Sequence, residues 1–163
     1  MNDCFKNAIK YSLIGGVIAS SWIMLGSSHL FIGINDSTSL PGRVFVFSRS
    51  KYLLRHLKKE DLILFKAPAT SFYPGKKIVK IIKGVAGENV AINHNRIFIE
   101  NTDLGALKKY SSHWQQLVPL AERKIAQNYY FGWAPHKDSY DSRYQSLGLI
   151  HQAQIMGRVL FWF

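Results

Sequence analysis

The sequence has little cysteine and few acidic residues. One cysteine, Cys4, among 163 residues excludes an internal disulfide and any multi-cysteine metal site. A chain so poor in cysteine can fold in an oxidising compartment without forming wrong bridges. It also lacks internal repeats and low-complexity stretches, so its length predicts one domain of ordinary size. The six histidines occur outside any recognisable nucleophile motif, and no Gly-x-Ser-x-Gly is present, which gives no support for a Ser–His–Asp hydrolase.

The second shortage, of acidic residues, leaves a large positive charge. Ten Asp and Glu oppose 21 Lys and Arg, for a net charge of +11. Such a surplus suits either nucleic acid or an anionic membrane surface. The basic residues form short scattered groups, such as 55–59 and 108–109, without a recognition-helix pattern or zinc-finger spacing. We therefore expect no nucleic-acid partner, and no metal or other cofactor.

The longest stretch without Asp, Glu, Lys or Arg runs from Tyr11 to Asn35. About 20 apolar residues suffice for a helix to cross a bilayer, so residues 11–34 are predicted to form a transmembrane anchor. Lys6 and Lys10 precede it and predict a cytoplasmic N-terminus. A cleaved signal peptide and a buried core helix are the alternatives. Because the apolar character resumes after Ser28, the stretch exceeds a usual signal-peptide core, which favours a retained anchor.

The predicted organisation therefore has three parts. Residues 1–10 form a cytoplasmic N-terminus, residues 11–34 the anchor, and residues 35–163 a domain on the far side of the membrane. Short apolar runs between turn residues predict a mainly β domain of antiparallel strands. The runs are 44–47, 62–65, 78–82, 90–92 and 97–99, and a further strand is predicted over 155–163. Residues 93–96, between the last two runs, are predicted to form a hairpin turn.

Residues 103–127 show a different pattern. Leu104, Leu107, Trp114, Leu117 and Ala121 recur at helical spacing, and Pro119 interrupts them. We expect one or two short helices here, within an excursion that packs on the sheet.

Lys80 is unusual because it lies inside the apolar run Ile78–Ile82. In a strand it shares one face with Ile78 and Ile82. A lysine is seldom fully buried without a partner, and desolvation lowers its pKa. A lysine that is neutral near physiological pH can act as a general base. On the strand alone, an edge-strand lysine that reaches solvent is the other interpretation.

Several segments, in order, resemble the type I signal peptidase family of Ser–Lys peptidases. Residues 37–41, Ser-Thr-Ser-Leu-Pro, resemble the family's Ser-x-Ser-Met-x-Pro motif. Residues 79–88 match the spacing of its lysine motif, with Ala86 and Glu88 in place of Pro and Asp. Ser139–Arg143 has its Ser-x-Asp-Ser-Arg pattern, and residues 60–65 and 155–159 resemble two further family elements.

The Leu40-Pro41 pair and the Val-Ala-Gly-Glu sequence after the lysine are most similar to the TraF-type peptidases of conjugative plasmids. The resemblance implies a signal-peptidase/LexA-like antiparallel β catalytic domain with short helices, preceded by one transmembrane helix. It also implies a single-pass protein of the bacterial inner membrane with a periplasmic catalytic domain.

The resemblance assigns a role to each site residue. Ser39 is the implied nucleophile and Lys80 the implied general base. The Ser39 backbone N–H and the Ser37 hydroxyl would form the oxyanion hole. Three further residues are implied to support the site: Ser139 orients the lysine, while Asp141 pairs with Arg143.

The function implied is a membrane-anchored serine endopeptidase that processes a prepilin or another membrane-tethered precursor for conjugative transfer. Closure of a pilin ring would use the same acyl-enzyme, with an amine in place of water. One alternative is a general signal peptidase acting on secretory precursors. The other is a non-catalytic, membrane-anchored assembly factor of a pilus or secretion machine.

Overall fold

A computed structural model describes residues 30–35 and 39–163. The predicted cytoplasmic N-terminus, residues 11–29 of the predicted anchor, and Ser37 lie outside the described residues. The described part is mainly β, as predicted. Its strands are β1 Leu30–Ile34, β2 Val44–Ser48, β3 Leu62–Lys66, β4 Lys77–Gly84, β5 Asn89–Asn93, β6 Arg96–Ile99, β7 Thr102–Ala106, β8 Arg123–Lys124, β9 Tyr129–Trp133, β10 Ile150–His151 and β11 Ile155–Trp162.

The larger sheet carries the candidate site. It has seven strands in the order β1-β2-β11-β3-β4-β9-β10. The pairs from β2 through β10 are antiparallel. β3 and β4 pair without interruption from Leu62 opposite Ile81 to Lys66 opposite Lys77. This regular ladder sets which side chains of β4 share a face.

The smaller sheet has four strands in the order β7-β6-β5-β8. β5 and β6 form the predicted hairpin, and Asn93 lies opposite Arg96. The two residues between them, His94 and Asn95, have φ of 46° and 60°. Positive φ at both central positions is the geometry that lets a two-residue turn match the twist of its strands.

Three clusters of buried apolar side chains stabilise the domain. One lies under the smaller sheet and includes Ile97, Ile99 and Phe131. The second contains Ile63, Phe65 and Ile82. The third contains Leu40, Phe45 and Phe47. Side chains of β3 and β4 contribute to both the second and the third cluster, as expected for strands buried on two faces.

The helices predicted within residues 103–127 are wrong. No residue of this described range is helical; the range contains β7, β8 and an irregular arm. Leu104, Leu107 and Leu117 are buried, but Trp114, which is 83% exposed, and Ala121 are not. The arm, however, folds back on itself, because the Leu117 N–H donates to the Lys109 carbonyl. The periodic burial therefore comes from a chain reversal. Short helical turns occur elsewhere, at α1 Lys51–Arg55 and in a 3₁₀ turn at Gln152–Gln154.

The structure also differs from the predicted boundary of the anchor. Leu30–Ile34, the last five residues of the predicted segment, form β1, and its alternate residues are exposed. Phe31 stacks on Phe47 of β2, with ring centroids 4.9 Å apart. A short apolar run does not distinguish a helix end from a strand by periodicity alone. Within residues 30–35 and 39–163, no helix has the length and apolar character needed to span a membrane.

Candidate active site

Lys80 is buried in the middle of β4, with 2% of its surface exposed. Its Cα partner on β3 is Ile63. Gly132 of β9 lies against its stem, and a Cβ on that glycine would be 3.2 Å from Lys80 Cβ and 2.4 Å from Ile150 Cδ1. A glycine at this point therefore lets the lysine pack tightly between two strands.

The amine of Lys80 has a specific partner. Lys80 Nζ donates a hydrogen bond of 2.7 Å to Ser139 Oγ. Ser139 is itself buried, and its N–H donates to the His136 carbonyl at 2.9 Å. Arg143 Nη2 donates to the Ser139 carbonyl at 3.1 Å. Both the N–H and the carbonyl of Ser139 are therefore held by hydrogen bonds.

Burial lowers the pKa of Lys80 to about 8. The negative charge of Asp141 raises the pKa, and the positive charge of Arg143 lowers it further. Desolvation is the largest cause, since a buried ammonium loses its hydration and Ser139 offers no compensating negative charge. A substantial neutral fraction near pH 8 makes this lysine suitable as a base.

Asp141 and Arg143 form a closed ion pair behind the lysine. Arg143 Nε and Nη2 donate to the two carboxylate oxygens at 2.8 and 2.9 Å, and the side chains are 3% and 0% exposed. Asp141 also accepts a hydrogen bond from the Ala134 N–H at 3.3 Å. Burial alone lowers the pKa of Arg143, but the hydrogen bond and charge of Asp141 outweigh it and raise the pKa. Arg143 therefore stays charged, and the pair holds the Ser139–Arg143 loop against the end of β9.

Ser39 and Lys80 line a common cavity of about 520 Å³. Ser39 is half-buried, and the next residue, Leu40, is anchored in the third apolar cluster. The cavity walls also include Phe31, Phe47 and Tyr140. The ladder between β4 and β9 begins only at Ile81, so Lys77–Lys80 borders the cavity beyond the end of that pairing.

The sequence profile of the signal peptidase family, peptidase S26, matches residues 6–163. The chain belongs to this family. The signal peptidase family is one of serine peptidases that act on precursors bearing signal peptides. Among solved structures, the crystal structure of a signal peptidase I from Enterococcus faecalis V583 is similar, with 22% identity and a TM-score of 0.42; the alignment covers 64% of this chain and 97% of that chain. No similar sequence was found among curated proteins.

Two of the elements that resemble signal peptidases are joined in the structure. Asp61 precedes β3 and is buried, and Arg158 belongs to β11. Arg158 Nη2 lies 2.8 Å from Asp61 Oδ1. The ion pair crosslinks the neighbouring strands β3 and β11, which is a structural role and not a catalytic one.

Sequence reasoning missed Gly132, Ser142 and Tyr140. The Gly132 N–H donates to Ser142 Oγ at 3.0 Å, and the Ser142 N–H donates to the Gly132 carbonyl at 2.9 Å. Tyr140 stacks on Phe72 and lines the cavity. A glycine inside the apolar sequence Tyr129–Trp133 was the available signal, because such a residue marks a close approach of another chain segment.

Proposed function

We propose that this protein is a membrane-anchored serine endopeptidase in which Ser39 is the nucleophile and Lys80 the general base. The observation that carries the proposal is the buried Lys80, with its pKa lowered to about 8, in the lining of a cavity that also contains Ser39. Membership of the signal peptidase family supports the same chemistry.

The proposed reaction has two stages. Neutral Lys80 takes the proton of the Ser39 hydroxyl while Oγ attacks the scissile carbonyl. The C–N bond then breaks, and the Lys80 ammonium returns the proton to the departing amine. A water molecule, deprotonated in turn by Lys80, attacks the acyl ester and releases the new carboxyl end and Ser39. The Ser39 N–H and the Ser37 hydroxyl are proposed to stabilise the oxyanion.

Three other residues are proposed to support this pair. Ser139 holds the Lys80 amine in one position by the hydrogen bond of 2.7 Å. Asp141 and Arg143 hold Ser139, because Arg143 bonds both the carboxylate and the Ser139 carbonyl. These are positioning roles, and they reduce the motion of the base before reaction.

An extended polypeptide fits the cavity better than a compact ligand. The β4 segment Lys77–Lys80 lies beyond its pairing with β9 and offers a strand against which a substrate can extend. Exposed apolar side chains of β1 and β11, namely Ile32, Ile34 and Phe161, suit a position near lipid. Both features favour a membrane-tethered precursor, cleaved on the periplasmic side of the bacterial inner membrane.

The proposed precursor is a prepilin of a conjugative transfer system, because of the Leu40-Pro41 sequence. Attack of a pilin amine in place of water would close a ring. The family match favours a second candidate, a general signal peptidase for secretory precursors. Both use the same Ser39 acyl-enzyme.

To test the proposal, wild type, Ser39→Ala and Lys80→Ala are each expressed together with candidate prepilins and with a secretory precursor. Mass spectrometry then identifies cleavage, and a further loss of one water identifies a ring. Ser50→Ala and Lys83→Ala are matched controls, since neither residue lines the cavity. We expect processing by wild type and both controls and none by the two site variants. Normal processing by the site variants would show that the proposed Ser39–Lys80 mechanism is wrong.

A further inference from the structure

Three lysines gather at one end of the cavity that contains Ser39 and Lys80. Lys66 of β3 and Lys77 of β4 are directly opposite each other, and Lys76 immediately precedes β4. Lys76 and Lys77 belong to the cavity lining. Like charges at opposite positions of neighbouring strands destabilise a sheet. The arrangement therefore costs stability unless an anion is present.

No acidic side chain of the described residues forms an ion pair with these three lysines. Asp138 lines the same cavity, but its carboxylate is already paired with Lys108. The end of the cavity that Lys76 and Lys77 line is therefore positive, and an anionic group from outside this part of the chain would be needed to balance it.

Aromatic contacts link this end of the cavity to the base. Lys76 Nζ lies 5.3 Å from the centre of the Tyr73 ring, a cation–π contact. The Tyr73 ring meets the edge of Tyr140 at 5.9 Å. Tyr140 directly follows Ser139, the partner of Lys80. The Lys76 ammonium is thus connected, through Tyr73 and Tyr140, to the segment that holds Lys80.

We propose that Lys76 and Lys77 form a subsite for an acidic side chain of the polypeptide substrate. Lys77 and Lys80 are three residues apart on one strand, which corresponds to about 10 Å along an extended chain. A substrate running beside β4 would present its acidic residue about three residues from the scissile bond. This inference rests on the proposed peptidase function and adds a charge requirement to it.

An anionic lipid headgroup is the other kind of partner that three lysines attract. The peptide is favoured because Lys76 and Lys77 line the cavity itself, together with Ser39 and Lys80. Lys66, opposite Lys77, adds to the positive field at that end.

The test uses one cleavable precursor peptide carrying Asp, Asn or Lys, scanned singly over the five positions on each side of the scissile bond. The full-length protein is assayed in detergent, and kcat/KM is measured for each peptide. At the position about three residues away, we expect Asp to exceed Asn by about threefold to tenfold, as for one or two partly exposed ion pairs. The preference should weaken at high salt because screening shortens the reach of the charges.

Charge-reversal variants assign the effect to the two lysines. The Lys76→Glu/Lys77→Glu double variant should prefer Lys over Asp at that position, Lys77→Glu should lose the preference for Asp, and Lys77→Gln should weaken it, because Lys76 remains in the lining. Lys124→Glu is the matched control, because it makes the same charge change on β8 of the other sheet. Thermal unfolding of each variant shows whether it is folded. If a Glu variant does not fold, the charge preference of Lys77→Gln is the test of the subsite.

The outcomes separate this inference from the proposed function. If wild type cleaves none of the peptides, the proposed function fails. If it cleaves them without regard to charge, only the acidic subsite is overturned. The subsite is also overturned if Lys77→Glu leaves the peptide preference unchanged but weakens binding to phosphatidylglycerol vesicles relative to phosphatidylcholine vesicles. That result would assign the lysines to the lipid surface.

Discussion

Two buried cations of this domain, Lys80 and Arg143, respond to burial in opposite ways. Their exposed fractions are nearly equal, at 2% and 3%. The pKa of Lys80 is lowered to about 8, whereas that of Arg143 is raised. The difference lies in the partner, because Lys80 meets the neutral hydroxyl of Ser139 and Arg143 meets both oxygens of Asp141. Burial depth alone therefore does not decide whether a basic side chain can exchange its proton.

The two cations also have different roles, one in holding a loop and the other in exchanging a proton. The charge of Arg143 is compensated by Asp141, and the pair holds the loop that carries Ser139. Among residues 30–35 and 39–163, no carboxylate forms a hydrogen bond with Lys80, so its ammonium is costly and its proton is readily lost. The rigid pair and the titratable lysine are joined through one residue, since Arg143 holds the Ser139 carbonyl and Lys80 the Ser139 hydroxyl.

The largest effect is expected when the Asp141 carboxylate, which distinguishes the surroundings of Arg143 from those of Lys80, is removed. Asp141→Asn leaves the buried Arg143 charge uncompensated, and the free energy of unfolding should fall by about 3–5 kcal/mol. Urea denaturation measures the change. Asp103→Asn, in the exposed Arg96–Asp103 pair, is the control and should change stability only slightly. Equal losses in the two variants would contradict the structural role of the buried pair.

The pH dependence of cleavage tests the lowered pKa of Lys80. In the proposed mechanism only the neutral amine accepts the Ser39 proton, so kcat/KM should rise as pH increases through about 8 and then level off. Between pH 6 and 9 the expected increase is about a hundredfold. An increase that continues to pH 10 would show that Lys80 keeps an ordinary pKa. A flat profile would show that another group is the base.

Replacing the lysine by an apolar residue should stabilise the protein. A lowering of the Lys80 pKa from 10.5 to about 8 corresponds to a cost of about 3 kcal/mol at neutral pH. Loss of the hydrogen bond to Ser139 offsets about 1 kcal/mol. Lys80→Met should therefore be inactive, and its free energy of unfolding at pH 7 should exceed that of wild type by about 2 kcal/mol.

The stability gain of Lys80→Met should depend on pH in one direction. The unfolded chain binds the Lys80 proton up to about pH 10.5 and the folded chain only to about pH 8. Wild type therefore gains stability as pH rises between these values, and the advantage of Lys80→Met should disappear. Lys83→Met, which loses a partly exposed pair with Glu60, should show no such trend. A variant less stable than wild type at pH 7 would contradict the assigned cost.

The smallest expected effect comes from the partner of the lysine. Ser139→Ala leaves the Lys80 amine without its hydrogen-bond acceptor, and kcat/KM should fall about tenfold. The acidic limb of the pH profile should also move to lower pH, because the ammonium loses a stabilising contact. Ser139→Thr should restore much of both, whereas Ser112→Ala on the exposed arm should alter neither. An unchanged pH profile in Ser139→Ala would exclude the positioning role.

Much of the larger sheet follows from local patterns. The predicted runs from 44–47 to 97–99 lie in β2 to β6, and the predicted strand 155–163 contains β11, because short β-branched and aromatic runs between turn residues leave few alternatives. The strands β7 to β10 were not predicted. The hairpin turn at His94 and Asn95 was likewise visible in the sequence. The irregular arm within residues 103–127 was not predicted correctly. Its burial pattern comes from a chain reversal and only resembles helical periodicity.

The sequence by itself determined that Lys80 has apolar neighbours on a strand and that a Ser-x-Asp-Ser-Arg segment follows far along the chain. The family resemblance implied that Ser139 meets the lysine and that Asp141 pairs with Arg143. Only the tertiary structure gives the contacts themselves, between Lys80 and Ser139, which is 59 residues away, and between Arg143 and both oxygens of Asp141. The same holds for Gly132, whose missing side chain makes room for the lysine stem. The physical reason is that local periodicity sets which face a side chain occupies. Strand pairing over long separations decides which polar group meets it there, and that partner sets the pKa.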